Sequence, residues 1–269
     1  MLLDEIVEQK KKEIIADRQS VSISQLEKMI LGVSPPRNFI NPFLNSSTIT
    51  IIAEVKKASP VKGLLCHNFD PAKLALDYQD GGAGAISVLT DKKYFQGNKG
   101  FIEIVRENVD LPVMRKDFII DRYQVIESRA IGADALLLIA SLLDEKELKE
   151  LLTLTRSLGM EALVEVHDQP ELEKALSVGA TVVGINNRNL RNFSVSISTS
   201  LNLAQYVPVD VVMVSESGIG TKEDIESLID AGFRGVLIGE SLVKSSNPAA
   251  KIRELRGKSG SEDSVAGCG

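Results

Sequence analysis

The chain has 269 residues, 43% hydrophobic and 25% charged, with 4% aromatic, no Trp and a formal net charge of -6. This composition excludes disorder as the general state, and the acidic balance argues against a broad nucleic-acid surface while leaving room for a local positive pocket for a small anion. A chain this long buries roughly three quarters of its unfolded surface, so Cys66 and Cys268 are not needed as a disulfide framework.

The first residues, MLLDEIVEQKKKEIIADR, carry Asp4 and Glu5 and develop no continuous apolar region. They read as neither signal nor transit peptide, and the expected setting is the cytoplasm. The longest apolar run, Ala135 to Ala140, falls far short of the roughly 20 residues that a membrane span needs, so no membrane partner is expected. Helical pattern covers 2–17 and 24–30, followed by the break at Pro35-Pro36. Residues 1–47 are expected to form a helical extension covering one end of the main domain at 48–256. The small, polar tail from Gly257 to Gly269 is expected to be disordered.

Eight short aliphatic runs follow in order: Thr48 to Val55, Ala85 to Leu89, Pro112 to Arg115, Ala135 to Ile139, Glu161 to Val166, Thr181 to Ile185, Asp210 to Val214 and Gly235 to Ile238. Most are apolar on both faces, as parallel strands must be when helices cover one side and an interior fills the other. Between them lie amphipathic stretches. In Asp144 to Leu158, for example, Leu148, Leu151, Leu152 and Thr155 share one helical face. Glycine recurs just ahead of several strands, at Gly82, Gly132, Gly179 and Gly232, where a left-handed residue would end a helix. Eight such units predict a (β/α)8 TIM barrel. An open doubly wound sheet is disfavoured, because no Gly-x-Gly-x-x-Gly follows the first strand.

In this fold the reacting groups lie at the C-terminal ends of the strands. Residues two apart on a strand share a side, so Glu54 with Lys56, Met114 with Lys116, and Leu163 with Glu165 each project together. If Ala53 and Val55 pack outward, Glu54 and Lys56 face the lumen. Three strands then aim ionisable groups at one mouth, while Arg115 takes the helix side. Asn186 and Arg188 share a side if the sixth strand stays extended, and Arg offers a planar fork for a carboxylate or phosphate. The seventh strand runs into Ser215-Glu216-Ser217-Gly218 and the eighth into Gly239-Glu240. Backbone amides at these two turns are the usual phosphate site of the fold. His67 and His167, the only histidines, show no metal-ligand spacing. No metal is expected, and His167 reads as a loop residue.

Together these segments resemble the indole-3-glycerol-phosphate synthase family. The resemblance rests on IIAEVKKASP (51–60), SVLTDKKYFQG (87–97), PVMRKDFIID (112–121), ADALLLIA (133–140), LVEVHD (163–168), GINNRNL (184–190), SESGI (215–219) and GVLIGESLV (235–243). It implies a sugar-phosphate substrate, 1-(2-carboxyphenylamino)-1-deoxyribulose 5-phosphate, and closure of an indole ring with loss of CO2 and water, without a cofactor. Carried onto this chain, it implies Lys116 as general acid, Glu165 as the group that stabilises positive charge on the anilinium nitrogen or accepts a proton later, and Glu54 with Lys56 in dehydration. It further implies Asn186 and Arg188 as orienting groups, Ser59 as a substrate contact, and Ser217, Gly218, Gly239 and the Glu240 amide as the phosphate cradle. Asn189 stands where some members carry Asp, and Glu240 where Ser is often found.

Phe95 and Phe118 are expected to flank the aromatic ring of the substrate or to pack the loops. Crowding by Lys56 and partial desolvation are expected to lower the pKa of Lys116, against the opposing pull of Glu54 and Glu165. Two competing readings keep the barrel: a Schiff-base aldolase acting through Lys116, and a non-catalytic barrel that binds a phosphate ligand.

Overall fold

The computed structural model describes residues 2–189 and 193–257. The expected disordered tail, Gly257 aside, lies outside the described residues. Eight parallel strands close a barrel: β1 (Thr50–Val55), β2 (Ala85–Leu89), β3 (Val113–Lys116), β4 (Ala135–Ile139), β5 (Glu161–Val166), β6 (Val182–Asn186), β7 (Val212–Glu216) and β8 (Gly235–Ile238). Each pairs with its neighbours in the chain, and β1 completes the ring by pairing with β8 through Ile51 and Val236 and with β2 through Glu54 and Ser87.

The two-residue period divides each strand between two cores. Ile52, Met114, Leu137, Leu163, Val214 and Leu237 fill the barrel. Ile51, Ala53 and Val55 belong to the outer core that packs against the helices. Leu148, Leu151, Leu152 and Thr155 are the buried face of the helix Glu145–Ser157, which Asp144 and Glu147 close with a reciprocal capping box. At Gly82 and Gly232 the backbone adopts φ of 87° and 90° directly after a helix, so the chain re-enters the sheet within three residues.

Three helices precede the barrel: α1 (Leu2–Ser20), α2 (Ile23–Ile30) and α3 (Asn41–Asn45). Together they reach both ends of it. Phe43 of α3 packs with Phe39 on the inner core at the N-terminal end of the strands, beside Gly235. At the mouth, Lys10 of α1 is buried and forms ion pairs of 2.9 Å with Asp91 after β2 and with Asp117 after β3. Arg115, on the helix side of β3, is buried and paired with Asp117 and Glu127.

Three strands run further toward the mouth than the sequence reading placed them. β3 runs on to Lys116 and β6 to Asn186, and β7 spans 212–216 rather than 210–214. The amide of Val211 donates to the carbonyl of Pro208 over 3.0 Å, which keeps Asp210 inside a turn and moves the strand two residues along.

Candidate active site

A cavity of about 530 Å³ opens at the C-terminal ends of the strands. All thirteen residues singled out in the sequence line it: Glu54, Lys56, Ser59, Phe95, Lys116, Phe118, Glu165, Asn186, Arg188, Ser217, Gly218, Gly239 and Glu240.

The floor is a charge cluster assembled from four strands. Nζ of Lys116 lies 3.1 Å from Glu165 and 3.1 Å from Glu216. Glu54 forms a 3.2 Å ion pair with Lys56. Asn186 donates to the remaining oxygen of Glu165 over 3.1 Å and accepts the backbone N–H of Arg188 over 3.0 Å. Two glycines make room for this cluster. A Cβ at Gly184 would collide with Glu216 and Leu163, and one at Gly239 would collide with the carboxylate of Glu54.

Glu216 is the residue that sequence reasoning missed. With the seventh strand placed at 210–214, Glu216 fell in the glycine turn. Its period-two relation to Val214, which faces the barrel interior, was the available signal.

The electrostatics also correct the expectation for Lys116. Burial opposes its charge, but Glu216, Glu165 and Glu54 outweigh burial and hold its pKa above the ordinary ammonium value. Lys56, expected to crowd it, is instead tied to Glu54. The two carboxylates flanking Lys116 are pushed apart. Burial acts to raise Glu165, but Lys116, His167 and Asn186 overcome it and hold the acid below the usual carboxylate range. Glu216 is raised by burial and by the neighbouring charges of Glu165 and Glu54, which outweigh Lys116 and push it up to about 7. Its second oxygen, Oε1, is buried without a hydrogen-bond partner.

At the other end of the cavity, Ser217 and Gly218 occupy consecutive left-handed positions, φ 66° and 77°, after β7. Gly239 and Glu240 follow β8. The Glu240 carboxylate accepts from Lys62, of the loop after β1, at 2.6 Å and from Lys244 at 2.7 Å, so this side chain is held by two lysines rather than by the glycine turns. Ser59 caps the Lys62 amide over 3.1 Å within that same loop. One wall is apolar: Phe95 and Phe118 lie 6.2 Å apart, centroid to centroid, and Nζ of Lys56 sits 5.6 Å from the Phe95 ring. Leu3 and Ile6 of α1 line the cavity as well, a contribution with no local sequence signal. Among the described residues no cluster of three His, Cys, Asp or Glu side chains is placed to hold a metal ion.

A family model described as indole-3-glycerol phosphate synthase matches residues 3–255. The chain belongs to the indole-3-glycerol phosphate synthase family. Proteins of that name from Chloroherpeton thalassium and Desulforamulus reducens are similar to it. The first is 49% identical over 92% of this chain and 96% of its own length, the second 46% identical over 95% and 97%. Membership makes this chain a decarboxylating lyase of tryptophan biosynthesis. Solved structures share the fold alone. A 3-hexulose-6-phosphate synthase from Salmonella typhimurium superimposes with a TM-score of 0.64 at 12% identity, over 78% of this chain and 98% of that one. A thiamine phosphate pyrophosphorylase from Pyrococcus furiosus gives 0.59 at 15%, over 78% and 95%. Among the described residues, no helix of this synthase-family chain is long and apolar enough to cross a membrane.

Proposed function

We propose that the cavity binds 1-(2-carboxyphenylamino)-1-deoxyribulose 5-phosphate and that Lys116, Glu165, Glu216, Glu54 and Lys56 divide the proton transfers of indole closure among them. The observation that carries this reading is one ammonium, Lys116, held 3.1 Å from each of two carboxylates in the same cavity as a second acid–base pair and two glycine turns.

The phosphate sits against the backbone N–H groups of Ser217, Gly218, Gly239 and Glu240, with the anthranilate ring along the wall that Phe95 and Phe118 form and its carboxylate toward Arg188 and Asn186. As the ring carbon bearing the carboxylate attacks the ribulose ketone, Lys116 gives a proton to the ketone oxygen. Its raised pKa keeps it in the donating, cationic form at neutral pH. Glu165, kept ionised, stabilises the positive charge that develops on the nitrogen. Loss of CO2 returns its electron pair to the ring and neutralises that nitrogen. Lys56, aligned by Glu54, then protonates the departing hydroxyl, and ionised Glu216 accepts the proton leaving the methylene carbon. The ammonium form of Lys116 lacks the lone pair that a Schiff-base nucleophile needs, which disfavours the aldolase reading.

The test is incubation of the purified protein with the carboxyphenylamino-deoxyribulose phosphate while indole fluorescence is followed. Turnover by the wild type, and a loss of about 10²- to 10⁴-fold in a folded Lys116→Met variant, are the expected results. Near-normal turnover in that variant removes Lys116 from the role of acid. A borohydride-trapped adduct at Lys116 with a sugar phosphate would replace this mechanism with the aldolase one.

A further inference from the structure

His167 follows β5 immediately and reads as a loop residue, yet its ring is directed at the catalytic floor. Nε2 lies 3.3 Å from Oε1 of Glu165, and Nδ1 lies 3.1 Å from Oε2 of Glu171, in the helix Gln169–Ser177. The same Glu171 oxygen accepts the backbone N–H of His167 over 2.8 Å, so the ring and its own backbone are anchored to one carboxylate. Nε2 is buried and lies off the line of a good hydrogen bond, so its contact with Glu165 is an ion pair set by proximity. The ring is mostly buried between two acids on different elements.

We infer that His167 is a positioning residue whose imidazolium, clamped by Glu171, holds the Glu165 carboxylate in place beside Lys116 and Asn186, and so decides which of the two acids flanking Lys116 remains an anion. Glu165 then has three partners: Lys116 at one oxygen, Asn186 and His167 at the other. Among the described residues, Glu216 has Lys116 alone, through one oxygen. Two carboxylates beside one ammonium repel each other, and the acid with more positive and donor neighbours stays ionised. Among the described residues, the charged groups facing the imidazole are Glu165 near the end of β5 and Glu171 on the following helix. Beyond Glu165 stand Lys116 on β3 and Glu216 on β7. Burial acts against the imidazolium, but Glu165 and Glu171 overcome it and raise the histidine to about 10. A neutral ring would leave Glu165 with a weaker claim on its charge, and the division between Glu165 and Glu216 would narrow.

This inference rests on the roles proposed above for Glu165 and Glu216, and its test separates the two. The chain has two histidines, so a proton–carbon correlation spectrum of protein labelled at the histidine rings contains two imidazole sets. The His167→Gln variant assigns them by the set that disappears. The expected result is that the His167 ring keeps imidazolium shifts at pH 8.5, and that its midpoint falls by at least about one pH unit in Glu165→Gln and in Glu171→Gln. A His167 ring that is neutral at pH 8.5, or a midpoint that Glu165→Gln leaves in place, overturns the inference.

The kinetic arm uses His167→Gln, which preserves much of the side chain's bulk. Its kcat is expected to fall about tenfold with KM unchanged, and the acid limb of its pH profile to move, because Glu165 now competes with Glu216 for the proton. Full kcat with an unmoved profile in this variant also overturns it. The spectra need no substrate, so a wild-type protein without synthase activity would defeat the proposed function while leaving the His167–Glu165 pairing testable.

Discussion

The carboxylate of Glu54 occupies the space that a side chain at Gly239 would fill. The backbone at Gly239 has φ of -120° and ψ of -68°, so it is not held in the left-handed region. What requires glycine there is room. One residue thereby serves two parts of the site: its backbone belongs to the turn proposed above to hold the phosphate, and its missing side chain leaves room for the Glu54 carboxylate beside Lys56.

Gly239→Ala is therefore expected to leave a folded barrel, with overpacking costing about 1–3 kcal/mol in stability, and to displace Glu54 from its pair with Lys56. Turnover should fall about 100-fold. Combining it with Glu54→Gln should add little to the loss from either change alone, because both disturb the same carboxylate. Fully additive losses in that double-mutant cycle would locate the damage elsewhere, at the phosphate.

Glu216 sets the expected pH dependence. A carboxyl pushed up to about 7 is protonated below that pH in the free protein and ionised above it. If the ionised form accepts the methylene proton, kcat/KM rises with pH through an apparent midpoint near 7, a value that belongs to the coupled cluster as a whole. Glu216→Gln should abolish that limb and reduce the plateau. A profile in which the limb survives the substitution assigns it to another group.

Arg188 lines the cavity next to Asn186, which accepts its backbone N–H. Removing a charge-assisted contact to the substrate carboxylate costs about 1.5–3 kcal/mol, so Arg188→Ala should raise KM roughly 10- to 100-fold. An unchanged KM contradicts a substrate contact.

Lys10 joins the N-terminal helix to the barrel through Asp91 and Asp117, all three side chains being buried. Lys10→Met leaves those acids without that cation at a cost of about 3–5 kcal/mol, lowering the thermal midpoint by roughly 10 °C. KM should rise too, because Leu3 and Ile6 on the same helix line the cavity. A midpoint within about 2 °C of the wild type would show that the network carries little of the docking energy.

The barrel was legible because two local signals agreed. Aliphatic runs apolar on both faces marked the strands, and glycines such as Gly82 and Gly232 closed the helices ahead of them. Alternation along a strand was enough to bring Glu54, Lys116 and Glu165 to one mouth. Other features needed three-dimensional information. The Pro208–Val211 turn shifts β7 by two residues and so delivers Glu216 to the floor. That extra acid, with Lys56 diverted to Glu54, reverses the expected shift of Lys116. Contacts between α1 and the cavity join residues about a hundred positions apart, and His167 gains its role only from the direction of its ring.

The attachment of Lys10 to Asp91 and Asp117 bears on how the protein is made. During synthesis the first helix emerges well before either aspartate exists, so until β3 has left the ribosome its lysine has only Glu13, on the same helix, of the three carboxylates it finally meets. Its seat over the mouth is thus a late acquisition of the nascent chain, and the opening remains unroofed while the strands that frame it are still being added.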